Sequence, residues 1–214
     1  MLRTVDIGHA IKVRDTAALL EHPPVVIRVT KFDEEGNKLF SEEMSKAHMS
    51  GQEVIPVQVD SPGGQVYSLL GMLETMRSSK RPVATICTSK AMSCGAMLFG
   101  MGTRGMRFAS RNSTFLLHDV SSCEWGKVEE IKAGAKECER LNIMIFTELA
   151  QHCGKPSKYF LDFIHDNSHA DYMIDSKEAV RMGLVDRIGT PELRTSVRVV
   201  TSLEMDGKVV VAKK

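Results

Sequence analysis

The strongest constraint on this fold is a strand pattern that runs through a glycine-rich turn into a helix. Residues 54–59 predict a strand, and Asp60-Ser61-Pro62-Gly63-Gly64 follows directly. From Val66 to Met76 the apolar residues then recur at helical spacing. A strand, a tight turn and a helix in this order are typical of an α/β domain.

The same succession continues along the chain. Residues 83–87 predict a strand, residues 88–94 a strand-to-helix turn, and residues 115–117 another short buried strand. Residues 128–151 predict a long helix, and residues 176–181 a short one. We therefore expect an α/β domain with a largely parallel sheet, in which sites gather where strands give way to helices.

Two other segments have their own patterns. Residues 33–37 predict a turn, and residues 41–48 a short helix. Near the C-terminus, two Val-rich runs flank Asp206-Gly207, which is a strong hairpin signal. We expect one domain over residues 1–190. The C-terminal extension over residues 191–214 is expected to form a β-hairpin, either an arm or a ribbon folded on its own domain.

Composition excludes several classes of partner and site. The 28 Lys and Arg residues against 27 Asp and Glu give no electrostatic reason to expect nucleic acid or a membrane surface. Five cysteines without a C-x-x-C pair argue against a disulfide framework or a zinc site. The longest apolar stretch, residues 91–102, is too short to cross a bilayer. We expect a cytoplasmic protein without metal or cofactor.

A serine and a histidine stand where a hydrolytic site would need them. Amide hydrolysis by serine needs a base, an acid that orients the base, and two N–H donors for the oxyanion. Ser93 lies between a predicted strand and an apolar helical run, although a serine there is more often only a helix cap. His118 ends the buried run 115–117, although a lone histidine is more often structural. Together they suggest a nucleophile and its general base.

The remaining roles have candidates as well. The N–H groups of Gly64 and Cys94 could form an oxyanion hole, in which the Cys94 thiol would be incidental. Asp171 could orient His118, with Asp166 and Asp175 as nearby competitors. A plain tight turn and a solvated loop carboxylate are the simpler interpretations of these residues.

Taken together, these motifs resemble the proteolytic subunit of Clp protease, over about residues 54–188. The resemblance rests on Ser61-Pro62-Gly63-Gly64, Ala91-Met92-Ser93-Cys94-Gly95-Ala96, the strand ending at His118, and Asp171 with Leu184-Val185-Asp186. Twenty-nine positions separate Gly64 from Ser93 and 25 separate Ser93 from His118, as in that family. The 53 positions from His118 to Asp171 are slightly more than usual.

The resemblance implies a crotonase-like spiral of β-α units with a protruding long helix. It also implies a serine endopeptidase with a Ser93-His118-Asp171 triad inside a self-compartmentalised homo-oligomer, a ring that forms a heptamer or tetradecamer. The helix at 128–151 would make the contact between rings. Substrates would be unfolded proteins or peptides, which family members often receive from a hexameric AAA+ ATPase.

The chain departs from the family in ways that bear on its partners. Relatives carry aromatic residues where this chain has Pro56 and Gln58, on the strand where the ATPase docks. The N-terminal segment also differs from the usual gating loop, and the C-terminal hairpin is extra. An AAA+ ATPase partner is therefore doubtful, and a divergent homologue, such as a phage-encoded capsid-maturation protease, would fit.

Three other functions remain open. A crotonase-like thioester enzyme also uses paired N–H donors after a glycine-rich turn, but it needs no Ser-His pair at this spacing. A non-catalytic ring subunit would usually lack the serine or the histidine. A Ser-Lys dyad would have to use Lys90, which lies only three residues before Ser93.

Overall fold

The strand patterns of the sequence build one mostly parallel sheet in the computed structural model, which describes residues 23–123, 125–194, 203–205 and 208–210. The strands of this sheet are β1 (Ile27–Val29), β2 (Ile55–Ser61), β3 (Val83–Met92), β4 (Arg107–Ala109), β5 (Thr114–Leu117), β6 (Tyr172–Asp175) and β7 (Arg187–Ile188). The helices are α1 (Glu34–Met49), α2 (Val66–Arg77), α3 (Cys94–Gly100), α4 (Val128–His152), α5 (Tyr159–Asp166) and α6 (Ser176–Arg181). The predicted α/β class is confirmed.

Strand β3 is the centre of the sheet because three strands pair with it. β2 runs parallel along most of its length, β4 pairs with its middle, and β5 pairs with its last three residues, again in parallel. β1 and β7 extend the sheet in parallel, whereas β6 is antiparallel to β5. The carboxyl ends of β2, β3 and β5 therefore meet at one edge of the sheet.

Helix α3 holds this edge in place because it is buried along its whole length. All seven of its residues are buried, and the ring of Phe99 packs against that of Phe115 with centroids 5.0 Å apart. The Thr85 hydroxyl also donates a hydrogen bond to the Phe99 carbonyl at 2.8 Å. Burying one Phe side chain contributes roughly 1.5–3 kcal/mol. The start of α3, next to Ser93, is consequently fixed by the core.

Helix α4 confirms the predicted long helix, but its two halves have different surroundings. The apolar stripe is buried at Leu141, Ile145 and Leu149. Its first turns carry Val128 and Ile131, which are exposed. The predicted stripe thus continues beyond the core onto the first turns of the helix, where its apolar side chains are exposed.

The predicted turn at residues 33–37 is wrong, because helix α1 already begins at Glu34. Asp33 is its N-cap: the Asp33 carboxylate accepts a hydrogen bond from the Gly36 N–H at 2.7 Å. Glu34 and Glu35 then lie in the first turn, where the helix dipole favours negative charge. The residues at 33–35, whose pattern is typical of a turn, therefore form the N-cap and first turn of a helix in this chain.

Residues 24–191 form one compact unit, and the C-terminal strands are described by themselves. β8 (Leu203–Met205) and β9 (Lys208–Val210) pair in antiparallel fashion, and the hairpin arm itself stays a prediction. The rest of the predicted hairpin and residues 1–22 lie outside the described residues. The division of the chain at residues 190 and 191 stays a prediction.

Among the described residues, no helix combines the length and the apolar character needed to span a lipid bilayer.

Candidate active site

Ser93 lies in a strained turn between β3 and α3. Its backbone has φ 54° and ψ −123°, a conformation that residues other than glycine rarely adopt. Hydrogen bonds hold it on both sides: the Ser93 N–H donates to the Leu116 carbonyl at 2.9 Å, and the Ser93 carbonyl accepts from the Ala96 N–H at 2.9 Å. Such strain persists where surrounding structure enforces it, often at functional sites.

The glycine-rich turn after β2 packs directly against Ser93. A Cβ atom added to Gly63 would lie 2.7 Å from Ser93 Cβ and 3.1 Å from Ser93 Oγ. Gly63 has φ +109°, and its N–H donates to the Ser61 hydroxyl at 3.1 Å. Only a residue without a side chain can therefore occupy position 63 while the Ser93 hydroxyl keeps its place.

Gly64 and Cys94, the predicted oxyanion donors, are connected to each other. The Cys94 thiol donates a hydrogen bond to the Gly64 carbonyl, with 3.3 Å between sulfur and oxygen. Burial raises the pKa of this thiol, which keeps it protonated and able to donate. The sequence interpretation treats the Cys94 thiol as incidental, but in the structure it forms this hydrogen bond to the glycine-rich turn. Within residues 23–123 and 125–194, neither the Gly64 N–H nor the Cys94 N–H has a protein acceptor.

Strand pairing places Ser93 and His118 at the same edge of the sheet. β3 and β5 are parallel with Met92 opposite Leu116, so Ser93 and His118 both lie just beyond the paired residues at the same edge. Adjacent strands are about 4.8 Å apart, a distance that two side chains can span. Between the described Ser93 and His118 side chains, however, no hydrogen bond is formed.

A second register places Asp171 beside His118. In the antiparallel pair of β5 and β6, Leu117 lies opposite Tyr172, so the next residues along are His118 and Asp171. The distance from His118 Nδ1 to Asp171 Oδ1 is 4.0 Å, longer than a hydrogen bond. The imidazole and the carboxylate are therefore neighbours, but they are about 1 Å too far apart for a hydrogen bond.

The competing residues have other partners. Asp175 caps α6 by accepting from the Glu178 N–H at 2.8 Å, and this bond lowers the pKa of its carboxyl. Asp166 is exposed and lies 3.8 Å from its neighbour His165. Lys90 Nζ lies 3.4 Å from Asp60 Oδ1, so the amine of a hypothetical Ser-Lys dyad is paired with a carboxylate. Asp171 is therefore the best placed of these carboxylates.

Sequence reasoning missed a second histidine–aspartate pair at this edge. Asp119, which follows His118, has its Oδ2 atom 2.6 Å from His169 Nδ1. The other carboxylate oxygen of Asp119 accepts from the Asn142 amide at 2.9 Å. Adjacency to His118 was the only signal for Asp119, and no pattern in the sequence links it to a residue 50 positions away.

Comparison with known proteins gives the family. A sequence model described as Clp protease matches residues 10–192. The chain belongs to the Clp protease family. The resemblance predicted from the sequence is confirmed, and the mixed α/β fold with its mostly parallel sheet is consistent with this family.

Two relatives show how far the similarity extends. The chain is 33% identical over 134 residues to a protein of Porphyromonas gingivalis named ATP-dependent Clp protease proteolytic subunit. It is 32% identical over 137 residues to a protein of the same name from Deinococcus radiodurans. These matches cover 63% and 64% of this chain, and 59% and 65% of the relatives. The chain thus spans about six-tenths of the length of these relatives.

Proposed function

We propose that this chain is a serine peptidase in which Ser93 is the nucleophile and His118 its general base. The observation that carries the proposal is the double register: β3 with β5, and β5 with β6, which align Ser93, His118 and Asp171 at one sheet edge. The strained backbone of Ser93 and the close packing of Gly63 support the same assignment. The names of the two relatives agree with it.

The orientation of the imidazole supports the division of roles. Nδ1 is the His118 nitrogen that faces Asp171, which leaves Nε2 for the Ser93 hydroxyl. A shift of about 1 Å would bring Nδ1 within hydrogen-bond distance of the carboxylate. Catalytic hydrogen bonds are often long without substrate and shorten when it binds, so this gap is compatible with the role.

The reaction follows from these positions. Ser93 Oγ attacks the carbonyl carbon of a peptide bond while His118 takes its proton, and the N–H groups of Gly64 and Cys94 donate to the oxyanion. When the C–N bond breaks, His118 gives the proton to the leaving amine. Water, deprotonated by the same imidazole, then hydrolyses the acyl-enzyme and restores the Ser93 hydroxyl.

Self-assembly is the second part of the proposal, and the exposed start of α4 supports it. Trp125 is 99% exposed just before the helix, and Val128 and Ile131 are exposed on its first turns. Exposed apolar side chains in such a group are typical of protein–protein contacts. We propose a ring-shaped homo-oligomer that admits unfolded chains or peptides. An AAA+ ATPase partner and a cytoplasmic location stay predictions.

An active-site probe tests the catalytic assignment. We expect a fluorophosphonate to label the wild-type chain and to lose labelling by several orders of magnitude in Ser93→Ala and in His118→Ala. Ser45→Ala, an exposed hydroxyl on α1, is the matched control and should label as wild type. Labelling that persists in folded Ser93→Ala would contradict the proposal. If His118→Ala keeps full activity, a thioester reaction of the crotonase-like type gains support instead.

A further inference from the structure

The loop that carries His118 and the loop that carries Asp171 are joined by a polar contact of their own. Asp119 Oδ2 lies 2.6 Å from His169 Nδ1. On its other side, Asp119 Oδ1 accepts from Asn142 Nδ2 at 2.9 Å, and Oδ1 of the same Asn142 side chain accepts from the Val120 N–H at 2.7 Å. Helix α4 therefore anchors the first loop, and His169 reaches it from the second.

The backbone around His169 is shaped to make this contact. Ser168 and His169 both have φ 58°, the left-handed conformation that few non-glycine residues adopt. Their N–H groups donate to the His165 and Ile164 carbonyls at 2.9 and 3.0 Å, which closes the end of α5. Two left-handed residues in a row are costly, and they persist where the surrounding contacts enforce them.

We propose that Asp119 and His169 form a clasp that positions His118 relative to Asp171. This inference rests on the proposed peptidase function. Asp119 directly follows His118 in the chain, and His169 lies two residues before Asp171. The contact between Asp119 and His169 therefore joins the two loops that carry His118 and Asp171. Because His118 Nδ1 and Asp171 Oδ1 are 4.0 Å apart, a small relative displacement of the two loops decides whether they form a hydrogen bond.

The clasp is suited to positioning and contributes little to stability. The Asp119 side chain is 31% exposed and the His169 side chain 58% exposed, and ion pairs of this exposure add little to the free energy of unfolding. The His165 ring packs edge-on against the His169 ring, with 5.4 Å between the ring centroids. We therefore expect clasp variants to fold and to differ from the wild type in rate.

The test measures the reaction of the full-length chain with a fluorophosphonate probe, separating the maximal labelling rate from the half-saturating probe concentration. Asp119→Ala should lower the maximal rate roughly 10- to 100-fold, since an error of about 1 Å in positioning costs up to about 100-fold. The half-saturating concentration should change less than about 2-fold, because the clasp acts on the positions of His118 and Asp171 and not on binding of the probe.

Conservative variants separate positioning from a general structural role. Asp119→Asn should retain most of the rate, since an amide can still bond to Asn142 and to the other tautomer of His169. His169→Asn, a residue type that tolerates left-handed backbone, should lose as much as Asp119→Ala. The double variant should be no slower than either single one, because both remove the same contact. Asp166→Ala, the same substitution as Asp119→Ala at an aspartate beside His165, is the control and should react as wild type.

The outcomes distinguish this inference from the function on which it rests. Undiminished labelling of Ser93→Ala overturns the proposed function. If Ser93→Ala is inert while Asp119→Ala and His169→Asn react at the wild-type maximal rate, the clasp is overturned and the function stands. Additive losses in the double variant, or a loss in Asp166→Ala equal to that in Asp119→Ala, would also overturn the clasp.

Discussion

The packing of Gly63 against Ser93 makes Gly63→Ala a sharp test of the site. The added methyl group would lie 2.7 Å from Ser93 Cβ, 3.1 Å from Ser93 Oγ and 3.1 Å from the Met92 carbonyl oxygen. Ser93 Cβ and the Met92 carbonyl oxygen are fixed by the backbone, and only Ser93 Oγ can move by rotation about χ1. Ser93 is held by backbone hydrogen bonds to Leu116 and Ala96. The added methyl group would therefore strain the packing between the Gly63 turn and the turn that carries the proposed nucleophile.

The size of the effect follows from these distances. Two non-bonded carbons are ordinarily about 3.5–4.0 Å apart, so the Gly63 turn and Ser93 must separate by about 1 Å. A displacement of about 1 Å of a reacting group costs roughly 100-fold in rate. Alanine at φ +109° adds backbone strain of about 1–3 kcal/mol to the folded state. We therefore expect slow labelling in a destabilised but folded chain.

The assay combines probe labelling with urea unfolding, and Gly154→Ala is the matched control. Gly154 has φ +70°, and a Cβ atom there would meet nothing within 4 Å. This control should lose about 1–2 kcal/mol of stability through backbone strain and keep the wild-type labelling rate.

A folded Gly63→Ala chain that labels at the wild-type rate would refute the reasoning. In that case either Ser93 is not the nucleophile or the turn does not constrain it. If Gly63→Ala and Gly154→Ala both label slowly, loss of stability, and not the displacement of Ser93, reduces the labelling rate.

Two further predictions concern stability and assembly. Burial alone would raise the pKa of the Asp186 carboxyl, but hydrogen bonds from Arg107 outweigh it and lower that pKa below 3.8. The pair, with side chains 4% and 18% exposed, therefore stabilises the fold fully above about pH 3.8 and loses this effect as the pH falls through the lowered pKa. Asp186→Asn should lose about 3–5 kcal/mol in urea unfolding at pH 7, and the loss should shrink as the pH falls below 3.8; a loss that does not change with pH would contradict this. Trp125→Ser should shift sedimentation toward smaller species, and an unchanged oligomer would count against α4 as the contact.

The sequence predicted the strands and turns that carry Ser93 and His118 because these signals are local. Gly63 and Gly64 mark the end of β2, and the apolar run 115–117 marks β5. β3 continues to Met92, well beyond the predicted end, since its last residues pair with β5 and their strand state comes from that pairing.

Short strands show the opposite case. β6 has four residues and β7 two, and neither carries a pattern that distinguishes it from a loop. Their extended conformation comes from pairing with β5 and β4, whose positions in the chain are far away. Such pairing cannot be read from a local period, so the sequence alone does not distinguish Asp171 from its competitors Asp166 and Asp175.

Strand register also explains why the 53 positions between His118 and Asp171 do not separate them. The pairs Leu117–Tyr172 and Phe115–Ile174 fix β6 against β5, so extra residues in α4, α5 or their connections leave the two ends of the register unchanged. A slip of one residue would turn the buried Ile174 out of the core, which makes the register costly to change. The register sets which residues face each other, but it leaves the last ångström between imidazole and carboxylate open. Contacts between the loops beyond the strands, such as that of Asp119 with His169, are where that distance is decided.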